Sequence, residues 1–459
     1  MNAPDTNIIA RDEDGMLAPA YVRTVAQAVE KGDGHELRNL VEGLHNADLA
    51  DLMELLGPDD RQGFIRLLGD DIDFHVLPEL DETLRDEVLE ELPTKAVVEA
   101  VRELESDDAV YLLEDMQSDE QQAILKQLPE NERAALKRSL DYPEDSAGRL
   151  MRSEFVAVPP FWDVGQVIDY LRQDDTLPAD FHEVLVVDPA FHLKGAVALS
   201  RLLRTKRPVR IGDIMEKDII SVKATEDQEQ VAYAFEQYNL LSAPVVDEDG
   251  RIAGIITIDD IVDVIQEEVE EDIHRLGGVG DEELTDTVWQ TARGRFTWLA
   301  VNLLTAVFAS YVISLFDASI EQMVALAVLM PIVASMGGNA GTQTMTVAVR
   351  ALATHELLPV NAGRVIGREA MVGLLNGAVL AIIMGALAAF WFDNTGLGLV
   401  LVAAMIVNML VAALSGILIP LLLERFGVDP AIASSVFVTT VTDVVGFFAF
   451  LGLAAMWLL

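Results

Sequence analysis

The chain has 459 residues, of which 51% are hydrophobic, and it carries a formal net charge of −43. The charge is uneven, because residues 1–292 hold 67 acidic and 26 basic side chains whereas residues 293–459 hold eight and six. An acidic half of this kind repels nucleic acid and attracts cations. Because the chain has no cysteine, disulfides and thiolate metal sites are excluded, and any metal must meet oxygen or imidazole ligands.

The first 140 residues combine a polar start with a helical pattern. Residues 1–34 are predicted to be flexible, and since they hold no long apolar run, we expect no signal peptide and a cytoplasmic N-terminus. Over residues 35–140, leucines recur at a helical period between turn signals such as GPDD and LPE. This pattern predicts short amphipathic helices packed as a solenoid-like domain, whose acidic residues solubilise the outer face or attract cations.

Two segments in the middle of the chain repeat one unit. AGRLM at 147–151 aligns with IGDIM at 211–215, and GAVALSRLLR aligns in the same way with GIITIDDIVD. Each copy predicts a helix, a hydrophobic strand, a glycine-marked turn, a second strand and a helix. The repeat resembles a tandem pair of cystathionine-β-synthase (CBS) domains, which are α/β regulatory modules. The predicted boundaries are 141–207 for the first domain and 208–272 for the second.

The CBS resemblance also implies a candidate nucleotide site. In nucleotide-binding CBS domains, a threonine and an aspartate after the turn glycine hold the ribose. The second copy offers Thr257 and Asp260 at these places, whereas the first copy has Ala198 and Arg201. ATP is therefore a candidate ligand of the second copy alone.

The last segment before the membrane half concentrates acidic residues on a predicted helix. Eight carboxylates fall within fewer than four turns, and like charges four residues apart oppose helix formation. We therefore expect nearby cations, or acidic side chains splayed into solvent, and take these residues as regional ligands of a regulatory cation. A connecting helix is predicted next, over 273–294, with an amphipathic part at 281–292 that enters the membrane. The eight residues are Asp259, Asp260, Asp263, Glu267, Glu268, Glu270, Glu271 and Asp272.

The second half supplies five apolar stretches, each long enough for a bilayer crossing that needs about 20 residues. Arginines precede the first and fifth stretches and lie between the second and third, whereas the alternate loops hold acidic residues and no basic one. Because positive charge is retained inside, the acidic half is predicted to be cytoplasmic and Leu459 to face out. The transmembrane domain is predicted over 295–459, with spans at 296–316, 322–349, 370–392, 394–423 and 430–459.

A polar row crosses the fifth stretch. Ser435, Thr439 and Asp443 are spaced four residues apart and so share one helix face, with Thr442 beside them. An ionisable residue near the middle of a span costs about 3 kcal/mol on insertion scales and is usually functional. The row predicts a wet ion pathway. The alternative is that Asp443 is protonated, or hydrogen-bonded to another helix, for packing alone.

The second stretch contains PIVASMGGNAGTQTMT, with Pro331 and three glycines around its midpoint. These residues loosen a helix, which frees carbonyls or lets another backbone approach closely. The alternative is a small-residue packing face. Polar neighbours favour a pore-lining role, which we assign to Gly337, Gly338 and Asn339. The other polar residues of the segment are Thr342, Gln343 and Thr344.

These features together resemble the MgtE family of magnesium channels over nearly the whole chain. The most specific segments are 331–343 with GGNAGTQ, 271–278 with EDIHRLGG, and 429–446 with DPAIASSVFVTTVTDVVG. This chain has Val436 where family members usually have proline. The resemblance implies a homodimer in a bacterial inner membrane, with a pore along the subunit interface lined by the second and fifth spans.

The family resemblance also implies a mechanism. Asp443 would supply charge, while Ser435, Thr439 and Asn339 would bind the waters of Mg²⁺, an ion that dehydrates reluctantly. Mg²⁺ would enter down its electrochemical gradient. High cytoplasmic Mg²⁺ would shut the pore by binding the acidic helical and CBS region.

Two other readings remain open. One is a membrane-anchored nucleotide sensor that does not transport, and the other is a transporter of Co²⁺, Ni²⁺ or Ca²⁺. Oxygen ligands favour the hard ions Mg²⁺ and Ca²⁺. An enzyme is not expected, because the sequence has no P-loop, no nucleophile-and-base pattern and no metal-hydrolase spacing among its seven histidines.

Overall fold

The computed structural model describes residues 10–12, 15–114, 116–174, 176–280 and 287–458. The chain divides into two compact units, Met1–Gln266 and Glu267–Leu459. The first contains a helical domain and two α/β domains, and the second contains long apolar helices. This arrangement confirms the predicted multi-domain fold class.

The helical domain is built from short amphipathic helices around one hydrophobic core. Polar residues begin several of them: Asp33 and Asp81 each accept a hydrogen bond from a backbone N–H in the first turn of the helix that follows. The helices are α1 (Pro19–Lys31), α2 (Gly34–Val41), α3 (Asn46–Leu55), α4 (Pro58–Leu68), α5 (Glu82–Glu91), α6 (Thr94–Glu103), α7 (Ser106–Glu114), α8 (Ser118–Leu125) and α9 (Glu130–Leu140), with 3₁₀ turns at Gly69–Asp71 and Phe74–Val76.

The prediction of a flexible segment over 1–34 is wrong from Leu17 onward. Leu17, Tyr21 and Val25 are buried in the core of the helical domain, and the Tyr21 hydroxyl donates to the Leu40 carbonyl at 2.7 Å. The apolar face of α1 therefore has a partner that lies later in the chain. Residues 1–9 lie outside the described residues.

The two α/β domains confirm the internal repeat. Each has a three-stranded sheet whose first two strands are parallel and whose last two are antiparallel, and the register shifts at the same point, Val186/Val187 and Val245/Val246. The first contains α10 (Ala147–Leu150), β1 (Ala157–Val158), α11 (Val164–Gln173), β2 (Glu183–Val187), β3 (Leu193–Ala198) and α12 (Leu199–Arg204). The second contains α13 (Ile211–Ile214), β4 (Val222–Lys223), α14 (Gln228–Tyr238), β5 (Ser242–Val246) and β6 (Ile252–Thr257).

The acidic segment forms one continuous helix, α15 (Ile258–Gly277). It ends where Gly278 adopts a left-handed φ of 69°, a conformation that glycine reaches without steric cost. The predicted connecting helix over 273–294 is not a separate element: its first part belongs to α15, residues 281–286 lie outside the described residues, and from Val288 it is continuous with the first span.

The long helices confirm the five predicted spans by length and composition. A short helix, α17 (Asp317–Gln322), follows the first of them. Small residues on α19 pack against α20, where Gly373 and Gly377 contact Met409. The spans are α16 (Val288–Ser314), α18 (Ala325–Ala353), α19 (Ala362–Trp391), α20 (Thr395–Arg425) and α21 (Pro430–Trp457). Leu459, predicted to face out, lies outside the described residues.

Candidate ion pathway

One face of α18 carries polar side chains that the protomer leaves exposed. Ser335, Asn339, Thr342, Gln343 and Thr346 recur at three- and four-residue spacing on this face. Asn339 Nδ2 donates to Ser335 Oγ at 3.4 Å, and the Thr346 hydroxyl donates to the Thr342 carbonyl at 3.0 Å. A polar row on an apolar span is costly against lipid, so this face requires protein or water opposite it.

The glycines of α18 differ in what surrounds them. Around Gly338, no described atom lies within 4 Å of the place that a Cβ would occupy, so its pore-facing role stays a prediction. At Gly337 a Cβ would lie 2.2 Å from Asn408 Nδ2, so this glycine makes room for a neighbouring helix. Its assignment to the pore also stays a prediction. Gly341 makes room in the same way, since its carbonyl oxygen lies 2.6 Å from the Cβ position of Gly416 on α20.

The backbone of α18 stays helical throughout. It passes through Pro331 and all three glycines as one continuous helix. The alternative expectation, close approach of another backbone, is confirmed by Gly416. Thr344, another polar residue of this segment, is buried beside the Gly416 backbone.

The polar row of α21 is partly buried in the protomer. Ser435, Thr439 and Asp443 are each partly exposed, whereas Thr442, expected beside them, is 0% exposed and faces the interior. The Thr439 hydroxyl donates to the carbonyls of Ser435 at 2.8 Å and Val436 at 3.1 Å. The helix continues unbroken through Val436.

Helices α18 and α21 are neighbours, joined by small and branched side chains. Val438 Cγ1 lies 2.5 Å from the Cβ position of Gly341, and it belongs to one buried cluster with Met345, Val349 and Ala431. The polar rows of α18 and α21 therefore lie on adjacent helices of one chain.

A buried amide between these helices was missed by sequence reasoning. Asn408 on α20 is 1% exposed, its Nδ2 donates to the Val333 carbonyl at 2.9 Å, and its Oδ1 has no hydrogen-bond partner in the described part of the chain. Cβ positions at Gly337 and Gly446 both lie within 3 Å of this amide. The available signal was a lone asparagine inside the apolar run LVLVAAMIVNMLVAALSG.

The end of α15 contacts the start of α21. Leu276 packs against the buried cluster of Met345, Val349, Ala431 and Val438. Arg275 forms ion pairs with Glu271 and with Asp429, and Asp429 accepts a hydrogen bond from the Ala431 N–H at 2.7 Å as the N-cap of α21. The predicted regulatory segment is thus attached directly to a helix of the candidate pathway.

Acidic residues around this contact lack full charge compensation. Burial, followed by the neighbouring charges of Asp429 and Glu268, raises the pKa of Asp272 to about 6. Opposite charge near this group would lower that pKa. The arrangement therefore favours protons or cations at the junction of α15 and α21.

The predicted regulatory residues at the start of α15 have a different environment. Asp259 and Asp260 both accept hydrogen bonds from the Arg152 guanidinium, at 2.9 and 2.7 Å. Burial, followed by the charge of Glu79, raises the pKa of Asp263. The eight predicted residues are therefore split between the two units of the chain.

No ready-made metal cage is formed by these residues. Within the described ranges, no group of three or more histidine, aspartate or glutamate side chains is arranged to hold a metal ion. Three of them, Glu267, Glu268 and Glu270, each take part in a hydrogen bond, an ion pair or another electrostatic interaction. Their assignment as regulatory ligands stays a prediction.

The predicted nucleotide residues are together at the edge of a cleft. The Thr257 hydroxyl donates to Asp260 Oδ2 at 2.7 Å, and the same carboxylate accepts from Arg152. Glu105 and Glu183 also line this cleft, so it offers an anionic phosphate group little positive charge. Nucleotide binding by the second CBS domain stays a prediction.

Comparison with known proteins agrees with this architecture. Family models match a divalent cation transporter domain at residues 330–453, an MgtE intracellular N domain at 44–145, and a CBS domain at 211–267. The magnesium transporter MgtE of Enterococcus faecalis is 35% identical over 319 residues, which cover 70% of each chain. The chain belongs to the MgtE family.

Other MgtE proteins show the same level of similarity. The magnesium transporter MgtE of Thermus thermophilus is 36% identical over 323 residues, covering 69% of this chain and 71% of that one. A crystal structure of the cytosolic domain of the Mg²⁺ channel MgtE in complex with ATP is 32% identical, with a TM-score of 0.49, and covers 53% of this chain and 99% of that chain. With its five apolar helices, this MgtE family member is a multi-pass membrane protein.

Proposed function

We propose that this chain transports Mg²⁺ across the membrane into the cytoplasm and has no enzymatic activity. The observation that supports this most directly is the exposed polar row of α18 beside the Asp443 row of α21, on adjacent helices of an otherwise apolar bundle. Curated relatives named as magnesium transporters support the choice of ion.

The pathway requires a second copy of the chain. In a single protomer the polar face of α18 is exposed, and lipid would leave it without partners. Pairing two protomers across this face would enclose both polar rows around a common axis. Asn339 and Thr439 would then bind the waters of the ion, and two copies of Asp443 would supply its charge.

The membrane potential supplies the driving force. Each elementary charge gains about 2.3 kcal/mol per 100 mV, so a divalent ion gains about 4.6 kcal/mol. This gain is directed inward if the arginine-flanked ends of the spans are cytoplasmic, as the distribution of positive charge favours. No nucleotide hydrolysis is required.

Cytoplasmic Mg²⁺ would regulate the pathway through its acidic side chains. The cytoplasmic half carries a large excess of carboxylates, so its compact form is favoured when cations neutralise them. Mg²⁺ binding closes the pore to the extent that the compact form binds it more tightly. The junction of Asp272, Arg275 and Asp429 would pass this change to α21.

The test is Mg²⁺ influx into proteoliposomes under an imposed inside-negative potential. We expect Asp443→Asn to reduce the influx at least tenfold, because it removes charge without changing side-chain shape. Asp317→Asn, the same change at an exposed residue of α17, is the matched control and should keep the wild-type rate.

Each failure in this assay has a distinct meaning. Wild-type protein that passes no Mg²⁺, even with its cytoplasmic side free of Mg²⁺, overturns the transport proposal and favours the anchored-sensor reading. Faster influx of Ca²⁺, Co²⁺ or Ni²⁺ than of Mg²⁺ overturns the assigned ion. Equal influx through Asp443→Asn and Asp317→Asn removes Asp443 from the pathway.

A further inference from the structure

The guanidinium of Arg152 sits among four carboxylates of the first unit. Glu105 and Asp107, at the start of α7, lie 2.5 and 2.6 Å from it, and Asp259 and Asp260, in the first turn of α15, lie 2.9 and 2.7 Å from it. Its five N–H donors in a planar fork suit such shared contacts. One arginine thus joins the helical domain to the second CBS domain.

The backbone of Arg152 holds the side chain in place. The Arg152 N–H donates to the Ile255 carbonyl at 2.7 Å, and the Ile255 N–H donates back to the Arg152 carbonyl at 2.9 Å. Because Ile255 lies on β6, the arginine is anchored to the sheet that precedes α15. The Arg152 side chain is only 17% exposed.

Two further hydrogen bonds complete the same junction. The Ser106 hydroxyl donates to Glu154 at 2.7 Å, and the Ser153 N–H donates to the Ser106 hydroxyl at 2.7 Å. The start of α7 is therefore fitted to residues 152–154 by a specific network. This geometry distinguishes the junction from a loose meeting of charged surfaces.

The charges at this junction do not balance. One cation faces four carboxylates, and like charges a few ångströms apart repel, most strongly at Asp107 and Asp260, which are largely buried. Burial raises the pKa of Asp107 well above its ordinary value and that of Asp108 to about 6. Without the guanidinium, α7 and α15 would confront each other as two acidic surfaces.

The internal repeat supplies a natural comparison. In the second CBS domain, Glu216 stands at the place of Arg152 and forms the equivalent backbone pair, with Ala196, at 2.9 and 3.0 Å. The fold therefore accepts either charge at this place. The positive charge at 152 is matched to the acidic ends of α7 and α15.

We propose that Arg152 is a built-in counter-cation that docks the helical domain on the CBS pair without a divalent ion. It is a positioning residue for the closed state, and this regulatory role rests on the proposed transport function. The docking itself does not. In variants without the guanidinium, the same contact becomes dependent on Mg²⁺, which takes its place among the carboxylates.

The direct test is hydrogen exchange of the full-length protein in lipid nanodiscs, followed by mass spectrometry of peptides from α7. In wild type, protection of α7 should be the same in EDTA and in 10 mM Mg²⁺. In Arg152→Gln, we expect exchange at least tenfold faster in EDTA and wild-type protection restored by Mg²⁺. Protection of α1, in the core of the same domain, should stay unchanged and so show that the domain is folded.

Two further variants isolate the role of the guanidinium. Arg207→Gln removes an exposed arginine that pairs with Asp169 in the first CBS domain, and it should leave α7 unchanged. Arg152→Ala should regain protection in EDTA when guanidinium ions are added at tens of millimolar, whereas equal sodium should not restore it. Arg152→Lys should restore part of the protection, because one ammonium group cannot serve four carboxylates.

The outcomes separate this inference from the proposed function. Equal α7 protection of wild type and Arg152→Gln in EDTA overturns the inference, as does Arg152→Gln that stays unprotected in 10 mM Mg²⁺. In proteoliposomes, the cytoplasmic Mg²⁺ concentration that halves influx should rise several-fold in Arg152→Gln, and an unchanged value overturns the regulatory role. Absence of wild-type influx overturns the proposed function and leaves the exchange result standing.

Discussion

Replacing Gly337 with alanine tests the packing of the candidate pore helix. The new methyl would lie 2.2 Å from Nδ2 and 2.9 Å from Cγ of Asn408, whereas carbon atoms in contact are about 3.5–4.0 Å apart. Asn408 has little room to retreat, because it is 1% exposed and also lies against Gly446. Its hydrogen bond to the Val333 carbonyl must therefore break or α18 must shift.

The cost can be worked from these contacts. Overpacking a tight core costs about 1–3 kcal/mol, and a buried amide left without its partner costs about 1–3 kcal/mol more. The better helix propensity of alanine returns about 1 kcal/mol. We expect the free energy of unfolding of the Gly337→Ala variant to fall by about 3 kcal/mol. For a unit of this size, that change lowers Tm by roughly 6–12 °C.

The assay is thermal unfolding of the purified protein in detergent, followed by tryptophan fluorescence. Gly338→Ala is the matched control, since it makes the same change one residue away where no described atom lies within 4 Å. That variant should unfold at or slightly above the wild-type temperature. Equal unfolding temperatures for the two variants would refute the assignment of Gly337 to packing.

Two further predictions concern the junction of α15 with α21 and the crossing of α18 with α20. Because the pKa of Asp272 is raised from 3.8 to about 6, its stabilisation of the docked α15 end is fully present below pH 3.8 and is lost as the pH rises through 6. Without Mg²⁺, exchange protection of the α15 end should therefore be stronger at pH 5.5 than at 7.5, by about 0.5 kcal/mol after allowance for partial exposure. Asp272→Asn should abolish this difference. The methyl of Gly416→Ala would lie 2.6 Å from the Gly341 carbonyl oxygen, so the free energy of unfolding of this variant should fall by about 1–3 kcal/mol. Gly367→Ala is the control, because its methyl meets no described atom within 4 Å. Its free energy of unfolding should not change.

Elements defined by local pattern were predictable from the sequence. The helix and strand predicted for each repeat are present: α11 runs from Val164 to Gln173, and β5 runs from Ser242 to Val246. Each depends on an apolar period and on capping residues that lie within the same segment, such as Asp163 at the start of α11. Spans were predictable for a similar reason, because about 20 apolar residues in a row are a local property.

Features that depend on distant partners were not predictable. Gly337 and Gly338 are adjacent in sequence but lie about 100° apart around the helix, and only Asn408 on another helix decides which one is packed. The burial of Leu17 depends in the same way on a core formed by later helices. Arg152 gave no signal, because nothing in its own segment indicates that four carboxylates converge on it.

Two of the hydroxyl groups in the polar rows have already used their hydrogens. Thr346 gives its proton to a carbonyl of α18, and Thr439 gives its proton to carbonyls of α21. What each oxygen can still offer is therefore a lone pair, which accepts but does not donate. A hydrated cation points its water hydrogens outward, whereas a hydrated anion points its water oxygens outward. These two hydroxyl groups thus favour the water shell of a cation over that of an anion.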